Sequence, residues 1–360
     1  MPRVNSYTNW GRLEEVWLGD CYPAHFYDHL ESEVRDVFYE ITEKTKQDLT
    51  IIENKIKEFG VVVQRPRYTA IEKFVNHETG QLLKPEITPR DQYLVAGNCF
   101  FGGNLRHNAW VHLIDQFRMD TGVKVVEFPR LDNLGFVTGA NTVRTGRDIY
   151  LDIFYRHRSD PTMPAELDNA AIEEFHRFIM PHFDQYRIHL LSNGGHVDGC
   201  FAAIAPGVLL ASTYFDDYER TFPGWKKINI SKPEFANKAH RNTPHRNGKW
   251  WETGGHSHDH AFNDHVIKYA LDWVGNYTET YFEVNCLVID EKNVLILGEN
   301  DTVFRELESH GITAHSLPFR TRTFWDGGLH CLTLDIRRQD SIDVDVFPDR
   351  DQPLYLYNNT

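Results

Sequence analysis

The sequence lacks any apolar run long enough to cross a bilayer, and Met1 to Trp10 has no apolar core of secretory-signal length, so a soluble, cytoplasmic chain is expected. Cysteine is sparse. The five, Cys21, Cys99, Cys200, Cys286 and Cys331, show no CxxC spacing, which excludes a disulfide framework and a cysteine zinc site and suits a reducing compartment. Positive charge is also in deficit: 38 Lys and Arg face 52 Asp and Glu, a formal net charge of -14. With no basic stripe to offset that excess, a nucleic-acid partner is excluded, whereas a cationic small molecule is accommodated. What is present is an ordinary globular composition, 41% hydrophobic and 25% charged with 13% aromatic residues, which excludes wholesale disorder.

Strand-like and helix-like runs alternate along all 360 residues. Leu13–Gly19 alternates as a strand, Glu31–Phe59 carries helical periodicity through Val34, Phe38, Ile41, Leu49, Ile52 and Ile56, and Val61–Val63 returns as a strand. The order recurs with Asp91–Ala96, Asn108–Met119 and Val123–Phe128, then with Asn141–Tyr150, a helix over Asn169–Phe183 and Tyr186–Leu191. A fourth unit holds a strand around His196 and Gly207–Ala211. The fifth runs through Val284–Ile289, Val294–Leu297, a helix over Asp301–His310 and Thr313–Leu317, closing on a strand that carries Cys331. Such repetition predicts one pseudo-symmetric α/β domain over residues 1–360. Ser231–Thr280 interrupts it as a polar, His-rich insertion or lid. Its His256, His258 and His260 have alternate spacing but no evident supporting residues, so a solvated loop is expected there and not a metal site, with Trp250, Trp251 and Trp273 laid over a cleft.

The stretch with the most chemistry is Asp326-Gly327-Gly328-Leu329-His330-Cys331, followed by an alternating run to Asp335. Two glycines allow a tight turn or close approach, and a cysteine at the mouth of a strand is a perch for a nucleophile; the alternative is a buried cysteine packed as a small hydrophobe. A partner lies upstream in Asn193-Gly194-Gly195-His196-Val197-Asp198-Gly199, where strand geometry would turn His196 and Asp198 to one face.

Together with Pro89-Arg90-Asp91, Arg144-Thr145-Gly146-Arg147-Asp148-Ile149, Val288-Ile289-Asp290-Glu291-Lys292 and Asp335-Ile336-Arg337-Arg338, these segments make the chain resemble the amidinotransferases that move the amidino group of arginine to an amine, such as glycine amidinotransferase and the inosamine-phosphate amidinotransferases. The resemblance spans most of the chain. It implies a pentein fold, a five-bladed propeller of ββαβ modules around a polar pocket, working without a cofactor or metal. It also implies that Cys331 attacks the guanidinium carbon to form an amidino-cysteine, that His196 protonates the leaving amine and deprotonates the incoming one, and that Asp91 and Asp198 grip the guanidinium. Arg320 and Arg322 are the candidates for binding the donor carboxylate, and the sequence allows a homodimer.

Two positions depart from the pattern. Where the family carries an aspartate that orients the histidine, this chain has Asn141, and Gly194-Gly195 leaves room for a larger acceptor amine beside the nucleophile. Asn141 keeps two alternatives open, a guanidine hydrolase of the deiminase or dihydrolase kind and a catalytically silent pentein that only binds.

Overall fold

The computed structural model describes residues 3–76, 80–103, 105, 109–128, 138–152, 177, 179–191, 196–211, 218–230, 251, 258–274, 283–351 and 355–356. Helix α1 (Ser32–Glu58) forms where the periodic apolar face predicts it, and Val34, Phe38, Ile41, Leu49, Ile52 and Ile56 are all buried. Glu33 in its first turn and Lys55 and Lys57 in its last complement the partial charges of the helix ends.

Among the described residues the strands form five small sheets. In the first, β1 (Arg12–Leu18) pairs parallel with β2 (Val62–Gln64) across α1 and antiparallel with β15 (Thr333–Gln339) from the far end of the chain. The second joins β3 (Tyr93–Ala96), β4 (Cys99–Gly103) and β5 (Lys124–Phe128), with helix α2 (Val111–Met119) in the crossover. The third holds β6 (Thr142–Arg144), β7 (Asp148–Asp152), β8 (Arg187–Leu191) and the short β16 (Tyr355–Leu356). The fourth joins β9 (Phe201–Ala205), β10 (Val208–Ala211) and β11 (Lys226–Asn229), with the short helix α3 (Tyr218–Thr221) between the last two. The fifth joins β12 (Leu287–Asp290), β13 (Asn293–Leu297) and β14 (Thr313–Leu317), with helix α5 (Asp301–Ser309) in the crossover. Each sheet repeats one pattern, an antiparallel pair followed by a parallel strand.

Several expectations need correcting. The strand after Cys331 does not complete the last module but pairs with β1, so the two ends of the chain build one sheet. Asn141–Tyr150 is a turn followed by a hairpin, because Gly146, at a φ of 88°, reverses the chain. The strands Cys99–Gly103 and Phe201–Ala205 lack clear alternation since every side chain of the latter is buried, and neither was expected. The helix expected over Asn169–Phe183 falls mostly outside the described residues, of which Met180–His182 forms a 3-10 turn.

Of the expected insertion, residues 231–250, 252–257 and 275–280 lie outside the described part, including His256 and Trp250. The rest is not a polar loop throughout: helix α4 (His260–Tyr269) buries Phe262 and Val266 against the α1 core. Trp251 is a core residue and not a cover over a cleft, since it is buried and donates its ring N–H to Asn263 Oδ1 at 3.1 Å, whereas Trp273, also buried, lines a small pocket with Tyr27, Phe38 and His265.

Neighbouring sheets contact one another. β12 packs on β1, β15 on β3, β6 on β9 and α5 on β11, while the turn Gly139–Asn141 packs on β3. At the meeting point of three of them, the buried Asp335 carboxylate of β15 receives Arg90 from the turn before β3, Arg144 from β6 and Arg338 from its own strand. Burial alone would raise this carboxyl, but the three guanidiniums hold it well below the usual carboxylate range. Ser6 Oγ adds a hydrogen bond at 2.9 Å. The Pro-Arg-Asp, Arg-x-Gly-Arg-Asp and Asp-x-Arg-Arg segments thus share a structural purpose.

Candidate active site

Three short 3-10 turns, Pro89–Asp91, Gly139–Asn141 and Val197–Gly199, pack on one another in that order. Gly139 permits the first contact, because a Cβ there would lie 2.7 Å from Arg90 Cγ and 3.0 Å from the Tyr93 carbonyl oxygen. The turns carry Asp91, Asn141 and Asp198 to one place. His196 precedes its turn instead of lying on a strand, so the expected two-residue alternation is not what directs it; the turn is.

The nucleophile loop approaches from the other side. Helix α6 (Arg322–Trp325) ends at Asp326, whose φ of 54° is the left-handed conformation that Asp tolerates better than most residues. Gly327 and Gly328 follow in close contact with their surroundings: a Cβ on Gly327 would be 3.1 Å from Cys331 Cβ, and one on Gly328 would be 2.6 Å from Asn285 Cβ and Oδ1. Arg90 Nε donates to the carbonyl oxygens of His330 and Thr333, both at 2.8 Å, so the buried arginine cluster directly holds the loop.

Cys331 is buried, its Sγ 3.5 Å from Asp198 Oδ2 and 3.0 Å from Asn285 Nδ2, which donates to it. Burial, then the Asp198 and Asp91 carboxylates, push the thiol well above its ordinary value. His330 donates from Nδ1 to the same Asp198 oxygen at 2.8 Å. Burial and the Arg90 guanidinium push this imidazole down to about 4, so at neutral pH it is an uncharged donor. Burial would raise Asp198, but the His330 hydrogen bond and nearby cationic groups bring its carboxyl below the usual range. Asp91, with its side chain 21% exposed, is raised by burial against the pull of His196, whose Nδ1 stands 3.9 Å from Asp91 Oδ1. That separation is beyond a hydrogen bond.

One oxygen on each carboxylate, Asp91 Oδ1 and Asp198 Oδ1, is buried without a hydrogen-bond donor among the described residues. An unmet buried acceptor costs about 1–3 kcal/mol. Two such oxygens can accept N–H donors from a bound cation.

Asp91, Asp198, His196 and Cys331 are therefore linked by contact or by field, and the buried Asn141 joins them through its turn. Arg320 is not among them. Its guanidinium and backbone N–H both bind Asp48 on α1, at 2.9 Å from Nε and 2.6 Å from N, so it anchors the loop instead of facing the site. Arg322 begins α6 with its Nη1 against Gly298 and lies closer along the chain to the nucleophile loop. Gly194 and Gly195 lie outside the described residues. His330 and Asn285 were not singled out from the sequence; the available signals were the histidine next to the cysteine, and an amide amid the apolar run Val284–Leu287.

No model of a known protein family matches the chain. Comparison with individual proteins does find relatives: it is 23% identical to the mitochondrial glycine amidinotransferase of Gallus gallus over 94% of this chain and 84% of that protein. The chain is thus similar to amidinotransferases. In solved structures the fold of this chain is matched by an amidinotransferase of saxitoxin biosynthesis from Microseira wollei, with a TM-score of 0.64 and 20% identity over 95% of this chain and 99% of that one. It is matched equally by the inosamine-phosphate amidinotransferase of Streptomyces griseus, with a TM-score of 0.64 and 17% identity over 96% and 100% of the two chains. The mixed α/β architecture of this chain is thus one that both proteins share. Among its described residues no helix is long and apolar enough to cross a membrane, and no cluster of His, Cys, Asp and Glu has the arrangement of a metal site.

Proposed function

We propose that the protein transfers the amidino group of arginine to an amine through a covalent amidino-cysteine on Cys331. The observation that carries this reading is the pair of open carboxylate oxygens, on Asp91 and Asp198, beside a buried thiol. A planar guanidinium offers N–H donors to both, and its positive charge offsets the two carboxylates that keep the thiol protonated. Thiolate formation is then favoured when the substrate is in place.

In the first half-reaction the Cys331 thiolate bonds to the guanidinium carbon. The C–N bond to the donor's δ-amine breaks, and His196 supplies the proton that lets this amine leave. In the second, the acceptor's amine gives a proton to His196 and bonds to the amidino carbon, and the S–C bond breaks to return the thiolate. His196, 33% exposed at the mouth, has the access to solvent and acceptor that this exchange requires. Arg322 is the proposed partner of the donor carboxylate. The five sheets and the contacts between them support closure into a five-bladed propeller, one domain with the site at its centre.

Asn141 favours a second reading, a hydrolase in which water replaces the acceptor amine, because an amide there cannot stabilise a protonated imidazole as a carboxylate would. Incubation with arginine decides between the two. Transfer predicts net turnover only when an amine is added, and no turnover in Cys331→Ala; steady release of ammonia with citrulline or ornithine from arginine alone would establish hydrolysis.

A further inference from the structure

Asn285 lies just before β12, buried among apolar neighbours, and three hydrogen bonds join it to the nucleophile loop. The Cys331 backbone N–H donates to Oδ1 at 3.0 Å, Nδ2 donates to Cys331 Sγ at 3.0 Å, and the His330 N–H donates to the Asn285 carbonyl at 3.2 Å. A backbone N–H can only donate, so the side-chain atom that receives it must be the oxygen. The amide nitrogen is thereby the atom facing sulfur, whichever way the group is first drawn. Gly328 lies flat against the same residue, with no room for a Cβ.

We propose that Asn285 is a positioning residue for the nucleophile, its amide oxygen fixing the loop backbone while its amide N–H fixes the sulfur and favours the thiolate. The inference rests on Cys331 being the nucleophile. The titratable groups facing that sulfur are Asp198, which also holds His330, and Asp91, and both carboxylates raise the thiol; the Asn285 hydrogen bond acts in the opposite direction. Once the proton leaves, an N–H bond to sulfur becomes charge-assisted and shortens. Asn285 acts through Cys331 and through no other reacting atom.

The test is the pH profile of Cys331 alkylation by iodoacetamide, read by mass spectrometry of the Cys331 peptide, with circular dichroism as the check on folding. Asn285→Asp keeps an acceptor for the Cys331 N–H but turns a carboxylate oxygen toward sulfur, Asn285→Ala removes both bonds, and Asn285→Ser restores a short donor. The profile should move up by at least about one pH unit in the Asp and Ala variants, which is about tenfold slower alkylation at a fixed pH below the titration, with partial recovery in the Ser variant. An unchanged profile in a folded variant would overturn the proposal. So would the failure of all three to fold, which would give Asn285 a purely structural role.

Alkylation needs neither arginine nor turnover, so the two readings fail separately. A shifted profile without an amidino adduct removes the proposed function and leaves the control of the thiol. An adduct with an unshifted profile does the reverse.

Discussion

Burial, then the field of Asp198 and Asp91, holds the proton on Cys331, so on the proposed reading its reactivity depends on what binds beside it. His196 Nδ1 stands 3.9 Å from Asp91 Oδ1 at the same place. Asn141 is buried in a turn packed against the Val197–Gly199 turn, and on the proposed reading a carboxylate there would stabilise the protonated imidazole. Asn141→Asp is therefore expected to speed amidino transfer by at least about tenfold, which corresponds to about 1.4 kcal/mol of barrier. The comparison is turnover of arginine with a panel of amines, binding being measured separately. A variant that folds, binds arginine as well and turns over more slowly would mean that Asn141 serves a different reaction.

At the scale of elements, the turns that carry the site are held by the Asp335 cluster, in which Arg90 links the buried carboxylate to the carbonyl oxygens of the nucleophile loop. Asp335→Asn leaves Arg90, Arg144 and Arg338 facing one another with one charge fewer to compensate them. Breaking a buried pair in this way costs about 3–5 kcal/mol, so urea unfolding should show a lower midpoint, and an unchanged midpoint would contradict the account. The elements themselves were largely legible: α1 and α5 follow apolar spacing closely, and five modules could be counted from order alone. The turns were not. Asp91, Asn141 and Asp198 lie in 3-10 segments too short to carry a period, and the direction of His196 is set by the turn it precedes. Asn285 and Arg90 were hidden for a related reason, since their partners are 46 and 240 residues away.

For the molecule as a whole, two buried groups pull stability in opposite directions with pH. Burial pushes Glu86 up to about 7, so its contribution is full below its unfolded value near 4.5 and is lost as pH rises through 7. His330, pushed down to about 4, contributes fully above its unfolded value near 6.5 and loses that contribution as pH falls toward 4. Glu86→Gln should accordingly raise the melting temperature more at pH ~8 than at pH ~5, where the native carboxyl is already protonated; equal shifts at both would show that Glu86 is not titrating as described. The convergence of distant segments on one thiol has its most direct test in the intact protein. Mixed with arginine, acid-quenched and weighed by mass spectrometry, the native chain should gain the mass of one amidino group, mapped to Cys331 and lost on adding an acceptor amine. An adduct on Cys21, Cys99, Cys200 or Cys286, or no adduct from a protein shown to bind arginine, would contradict the account.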